Sequence, residues 1–194
     1  TIQDMCKGEI NQAACRYKVS VTVEEYYQNI YGKTASMFVT VCKIGGLESG
    51  CPEPIIELMG QIGLHLGYLF QIRDDLLDFS LQDMGDAKSL RLDFQEGSAT
   101  DFDEKEWYIT LNKTLFMKEL IEKARSGILS GEDLEILDQL IIKADGFHKT
   151  VQVAEEHRKK ILEMLSYLPQ HEKNTIELIQ HLLSKLPLPK PPKK

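Results

Sequence analysis

Apolar residues return every three or four positions along most of the chain, the period of a helix buried on one face. No segment keeps the strict alternation of a half-buried strand. Residues from about Ile2 to Tyr17 form a short amphipathic run. Thr22-Val23-Glu24-Glu25 reads as a capping box, in which the Thr22 hydroxyl and the Glu25 carboxylate satisfy amide groups at a helix start. This pattern predicts a helix running to about Lys43 and stopping at Gly45-Gly46. Pro52 suits the first turn of the next helix, where its missing N–H costs nothing. That helix is predicted to reach about Phe79. It is apolar on most of its circumference, from Ile55 and Ile56 to Leu69, Phe70 and Ile72, as befits a helix inside a protein. Gly60, Gly63 and Gly67 recur on it at spacings of three and four, a smooth strip for a neighbour's close approach.

From Ser80 to about Glu104 the period is lost. Asp83, Gly85, Asp86, Gly97, Asp101 and Asp103 mark a polar loop long enough to suggest a lid or binding loop. Helices are predicted to resume near Trp107–Arg125. Ser130 then caps a run from Gly131 to about Ala144, closed by Gly146. Further helices are expected from about His148 to Leu168 and from about His171 to Leu186. The tail, Pro187-Leu-Pro-Lys-Pro-Pro-Lys-Lys, is Pro-rich and basic, and is expected to be extended and mobile. One domain over residues 1–186 with a tail over 187–194 follows. The fold class is all-α, a bundle of mostly antiparallel helices around a central cleft.

Composition narrows the functions open to such a bundle. The chain has 194 residues, 42% of them hydrophobic, enough for a sizeable core. Lys plus Arg number 23 and Asp plus Glu 30, a net charge of −7. That balance argues against a nucleic-acid binder, whose footprint is a basic stripe. An anionic substrate stays open, since a few cations and a bound metal reverse the field locally. Cys6, Cys15, Cys42 and Cys51 form no C-x-x-C pair and have no His at zinc-ligand spacing, which favours a reduced, cytoplasmic chain over a metal site. No window reads as a run of about 20 apolar residues, so no integral membrane span is expected. The opening Thr1-Ile2-Gln3-Asp4 has neither an initiator Met nor a signal-peptide pattern, and reads as truncated or processed.

The candidate chemistry lies in Leu69-Phe70-Gln71-Ile72-Arg73-Asp74-Asp75-Leu76-Leu77-Asp78-Phe79. On a helix, Gln71, Asp74, Asp75 and Asp78 stand at i, i+3, i+4 and i+7 and share one face. Three carboxylates on an otherwise apolar rod repel one another and resist desolvation unless something compensates them. A hard divalent cation such as Mg2+ does so through carboxylate oxygens, leaving positions for water and phosphate. The bland alternative is a solvated acidic face. Lys33 could likewise be an ordinary solvated lysine, Gln71 could satisfy a buried backbone group, and Phe38, Phe70 and Tyr26 suit core or cavity wall. The histidines His65, His148, His157, His171 and His181 are scattered. His65, within the apolar helix, reads as a hydrogen-bonded interior residue.

Phe70-Gln71-x-x-Asp74-Asp75-x-x-Asp78, preceded by Gly63-x-x-x-Gly67, resembles the second aspartate-rich motif of the trans-isoprenyl diphosphate synthases. Gly8-Glu9-Ile10-Asn11-Gln12, Tyr26 with Lys33-Thr34-Ala35-Ser36-Met37-Phe38, and Lys88-x-x-x-x-Asp93-Phe94-x-Glu96-Gly97-x-x-Thr100 resemble other segments of that family, in the same order. The resemblance is collinear from about residue 5 to residue 186 and covers the carboxyl-terminal portion of a typical member. It departs at Ala87, where the family usually has Gly, and at Asp101-Phe102, where it commonly has Leu-Pro.

The resemblance implies the isoprenoid synthase fold and a prenyltransferase that ionises an allylic diphosphate and joins it to isopentenyl diphosphate, giving a longer all-trans prenyl diphosphate. It implies Mg2+ as cofactor, with Asp74 and Asp78 coordinating directly and Asp75 binding a metal-bound water or orienting a partner. Lys33 and Lys88 would bind the diphosphate, and Thr34 and Gln71 would turn oxygens to the allylic cation. Gly32 would loosen the helix so that the region of Thr34 can face the cleft. Members are usually homodimers. The family's first aspartate-rich motif would lie before Thr1, so the chain alone is expected to be inactive, with the missing half in the same gene product or in a partner. The alternative is a non-catalytic or complementing subunit of a heteromeric synthase.

Overall fold

A computed structural model of the chain describes residues 1–17, 22–80, 115–143, 145–169 and 173–190. The loop predicted from Ser80, with Lys88 and Thr100, and the start of the helix predicted at Trp107 lie outside the described residues. Among those described the regular structure is helical throughout. The helices are α1 (Ile2–Cys15), α2 (Val23–Ile30), a π-helical turn (Tyr31–Ala35), α3 (Ser36–Glu48), α4 (Glu53–Ser80), α5 (Leu115–Arg125), α6 (Gly131–Lys143), α7 (Gly146–Leu165) and α8 (Lys173–Ser184).

α4 is the axis of the bundle. Ile62, Leu69 and Leu76 on it are fully buried, and Leu66 and Ile72 nearly so. They join Ile30 of α2, Leu120 of α5, Leu137 of α6, Ala154 and Ile161 of α7, and Ile179 and Leu183 of α8 in one core. Each such aliphatic side chain contributes about 1.5–3 kcal/mol by leaving water. By length and composition α4 could cross a membrane, contrary to the expectation that no stretch reads so. Of that stretch 50% is buried here, with Ile62, Leu66, Leu69, Ile72 and Leu76 packed in this core.

The local signals decide several boundaries. At the start of α2, Thr22 Oγ1 accepts from the Glu25 amide at 3.1 Å and Glu25 Oε2 accepts from the Thr22 amide at 2.9 Å, the expected capping box. The helix does not stop at Gly45-Gly46. α3 runs through both to Glu48, because Gly46 is a close-packing position against Ile56 of α4. The stop comes at Gly50, whose φ of +69° places it in the left-handed region, with the Cys51 amide bonding Gly46 O and the Gly50 amide bonding Leu47 O. Gly146 likewise opens α7 instead of closing α6; the break is carried by Asp145 at φ +57°. Ser130 does cap α6: its hydroxyl accepts from the Asp133 amide, and Asp133 Oδ2 accepts from the Ser130 amide.

The strip on α4 receives its neighbour as expected. A Cβ on Gly63 would stand 2.6 Å from Phe38 O, and one on Gly67 would collide with the Ala35 backbone. The start of the Pro-rich tail touches the bundle at Pro187, and residues 191–194 lie outside those described. Arg73 Nε donates to Pro187 O at 3.1 Å, and Arg158 donates to Leu183 O and Leu186 O.

Candidate functional site

The helix that begins at Thr22 changes its winding after Ile30. Over Tyr31–Ala35 it becomes a π turn, with the Ser36 amide reaching back five residues to Tyr31 O. Gly32 is the residue that permits it. α1 crosses here backbone to backbone, so that a Cβ on Gly32 would lie 2.6 Å from Gly8 Cα, and one on Gly8 equally close to Gly32 C. On its other side the turn is pressed on Gly67 of α4. Lys33 and Thr34, both half-buried, thus sit on a wide turn wedged between α1 and α4. The expected loosening at Gly32 takes the form of one extra residue in a turn.

From this turn a polar network runs onto α4. Thr34 Oγ1 donates to Gln71 Oε1 at 2.7 Å, and Gln71 Nε2 donates to Asp75 Oδ1 at 3.0 Å. Tyr26, on α2, donates its hydroxyl to Asp75 Oδ2 at 2.7 Å. Gln71, Asp75 and Tyr26 are all buried, at 5%, 6% and 6% exposure. A carboxylate at that depth needs its hydrogen bonds, and here Oδ1 accepts from Gln71 and Oδ2 from Tyr26. Asp74, one residue before, is exposed to solvent. Asp78 lies one turn further along α4 in the i+4 register from Asp74; its side chain lies outside those described. Among the described residues no three His, Cys, Asp or Glu side chains cluster as a metal site, so the fit to a divalent ion rests on Asp74 and Asp75. Those two fit it unequally. Asp75 is oriented and shielded, whereas Asp74 is open to solvent.

The structure therefore brings Thr34, Gln71 and Asp75 into direct contact and sets Lys33 beside Thr34 on the same turn. It also adds Tyr26, whose sequence context suits core or cavity wall. Tyr26 is 49 positions from Asp75, and only the crossing of α2 over α4 brings the two together. Phe38 and Phe70 face each other at 5.7 Å, with Phe70 next to Gln71 in the chain and 37% exposed, an apolar wall next to the network. A small cavity of about 150 Å³ lies elsewhere, between Gly46, Cys51, Met59 and Leu168, and touches none of these residues.

A second buried polar cluster has no signature in the sequence. His65 of α4 and His157 of α7 meet at 2.8 Å between their Nδ1 atoms, and Tyr27 of α2 shares a hydrogen bond with His157 Nε2 at 3.0 Å. His65 is hydrogen-bonded as expected, yet its partner is 92 residues away, beyond any local pattern. Burial, then His65, then Lys160 push the His157 imidazole down to about 4, and burial with Lys160 lowers His65.

Comparison with known proteins places this arrangement among relatives. The sequence model of the family described as polyprenyl synthetase matches residues 1–126. Heptaprenyl diphosphate synthase component 2 of Geobacillus stearothermophilus is 26% identical over 178 residues, which are 89% of this chain and 52% of that one. A prenyl transferase of Cyanophora paradoxa is 30% identical over 189 residues, 95% of this chain and 56% of that one. A crystal structure of a decaprenyl diphosphate synthase from Rhodobacter capsulatus superposes with a TM-score of 0.77 at 26% identity, over 95% of this chain and 57% of that one. The chain thus spans little more than half the length of these relatives.

Proposed function

Given that the chain belongs to the polyprenyl synthetase family, we propose that it forms the part of a trans-polyprenyl diphosphate synthase that binds the diphosphate of an allylic substrate through Mg2+. The observation that carries this reading is the Thr34–Gln71–Asp75–Tyr26 network, which ties a π turn bearing a lysine to the acidic face of an interior helix. A turn of that kind inside a helix is frequent at functional sites. An acidic face that served only solubility would have no use for a buried carboxylate held by two donors.

In this reading Asp74 and Asp78 hold the metal directly and Asp75 fixes the geometry of the face. Bound Mg2+ would neutralise the charge that develops on the departing diphosphate. Lys33 binds the same diphosphate as a point charge, with Lys88 a second candidate from the segment that follows α4. Thr34 and Gln71 turn oxygens toward the allylic cation, next to the apolar wall of Phe38 and Phe70. Isopentenyl diphosphate is the second substrate, and extension of an all-trans chain is the reaction.

The relatives extend well beyond the matched region. We therefore propose that turnover needs a further wall of carboxylates, supplied by more chain or by a partner, as a homodimer or a heteromer. The two relatives named as component 2 of a heptaprenyl diphosphate synthase, 26% and 27% identical, favour the heteromeric alternative, in which this chain complements another subunit. The deciding measurement is calorimetry of a bisphosphonate titrated into the protein with and without Mg2+. Metal-dependent binding that Asp74→Ala abolishes is the expected result. Binding untouched by that substitution would sink the reading.

A further inference from the structure

α2 is the first eight residues of a helix that continues through the π turn into α3, so its far end is tethered and its side-chain anchors set how its first two turns lie on α4. Two of them are consecutive tyrosines. Tyr26 reaches Asp75, while the Tyr27 ring stands edge-on to Tyr68 at 4.9 Å and its hydroxyl meets His157. Tyr68 and Asp75 are seven residues apart on α4 and so lie on one face, two turns from each other. Consecutive residues of α2 point about 100° apart around its axis. With its far end continuous with the π turn, the segment is held against α4 at two points on neighbouring faces, one by each tyrosine.

We infer that Tyr27, His157 and His65 are positioning residues for the carboxylate of Asp75: they clamp α2 so that the Tyr26 hydroxyl stays on Asp75 and the following π turn stays on Gln71, an inference that rests on Asp75 belonging to the proposed diphosphate site. The clamp is closed at each joint. His157 is only 6% exposed and both of its ring nitrogens are engaged, Nε2 by Tyr27 and Nδ1 by His65. A neutral imidazole has one donor and one acceptor, so the two bonds set one another's direction: if Tyr27 donates to Nε2, then Nδ1–H donates to His65. His65 belongs to α4 and His157 to α7, and Tyr68 packs edge-on to both rings. Three helices therefore meet at one imidazole, and the shortest of them leads straight into Lys33 and Thr34.

The test is a double-mutant cycle on Tyr26→Phe and Tyr27→Phe, read by Mg2+-dependent bisphosphonate affinity and by the NMR chemical shift of the Asp75 carboxyl carbon at a fixed pH. Tyr27→Phe alone is expected to weaken binding about five- to tenfold, the scale of one hydrogen bond. In the Tyr26→Phe background it should change affinity less than about twofold, since the bond it protects is already gone. The Asp75 resonance should move in the same direction in both single variants. His157→Gln, whose amide can bond both neighbours, should stay near the parent, and His157→Leu should behave as Tyr27→Phe. Equal factors in both backgrounds, or an Asp75 chemical shift unmoved by Tyr27→Phe in a folded variant, would overturn the inference. Absence of metal-dependent binding in the parent would remove the functional reading instead, and the Asp75 chemical shift would then decide the clamp by itself.

Discussion

His157 titrates in a setting that disfavours its charge from every side. On its own helix stands Lys160, from α4 come His65 and Tyr68, and from α2 comes Tyr27. Burial is the largest influence, ahead of His65 and Lys160, and together they take the imidazole from 6.5 to about 4. The folded state therefore binds fewer protons than the unfolded chain between these values. Its contribution to stability is complete above about pH 6.5 and is lost as pH falls toward 4, a change of roughly 3 kcal/mol at most. A second proton on the pair would also set two N–H groups face to face. Urea unfolding at about pH 7 and about pH 4.5 should show the parent losing more stability than His157→Gln; parallel losses would refute this. Asp133 supplies a separate, lower window. Lys123 at 2.7 Å, then the Ser130 amide and hydroxyl, hold its carboxyl down to about 2. Its contribution persists above 3.8 and disappears only as pH falls from there through 2, so Asp133→Asn should flatten the stability profile in that range and leave the region above it alone.

Helix packing makes opposite demands on glycines that look alike in the sequence. Gly8 crosses Gly32 backbone to backbone, and the atoms a new Cβ would meet cannot swing away. Gly8→Ala should destabilise the fold by about 1–3 kcal/mol and shift the π turn off Gln71. Gly45, mid-helix in α3, has nothing within 4 Å of the place a Cβ would occupy. Gly45→Ala should therefore stabilise the fold by about 0.5–1 kcal/mol. Chemical denaturation of the two variants checks both signs. The same contrast marks the limit of what the sequence reveals. The capping box at Thr22 and Glu25 is local and legible, as is the Gly63–Gly67 strip, whose spacing follows from the helical period. The expected stop at Gly45-Gly46 fails because a glycine pair can serve packing as well as termination, and only the nearness of Ile56 to Gly46 separates the two. Of the candidate site, the motif singles out Thr34, Gln71 and Asp75, though not the hydrogen bonds that join them. Tyr26 and the Tyr27–His157–His65 clamp are hidden, since contacts across 49, 130 and 92 residues leave no local trace.

These 194 residues together carry a net charge of −7, and their proposed ligand is a polyanion. Long-range electrostatics therefore oppose binding, and a lysine such as Lys33 sets a single positive charge against several negative ones. Attraction has to be created locally, by a divalent ion bridging carboxylate and phosphate oxygens. In excess EDTA a bisphosphonate should show no measurable heat of binding, and titrating Mg2+ back should restore it, whereas raising monovalent salt to screen the repulsion should not. The same reasoning separates binding from turnover. One acidic helix face can hold a diphosphate, but cleavage of its allylic ester requires charge compensation around the whole leaving group. With Mg2+, an allylic diphosphate and radiolabelled isopentenyl diphosphate, the 194-residue chain should bind and yet release no extended product. Addition of a complementary subunit bearing the other acidic wall should restore product formation, and Asp74→Ala in this chain should abolish the restored activity. Product made by the isolated chain would show that one wall suffices and would retire the complementation scheme while leaving the metal-dependent site in place.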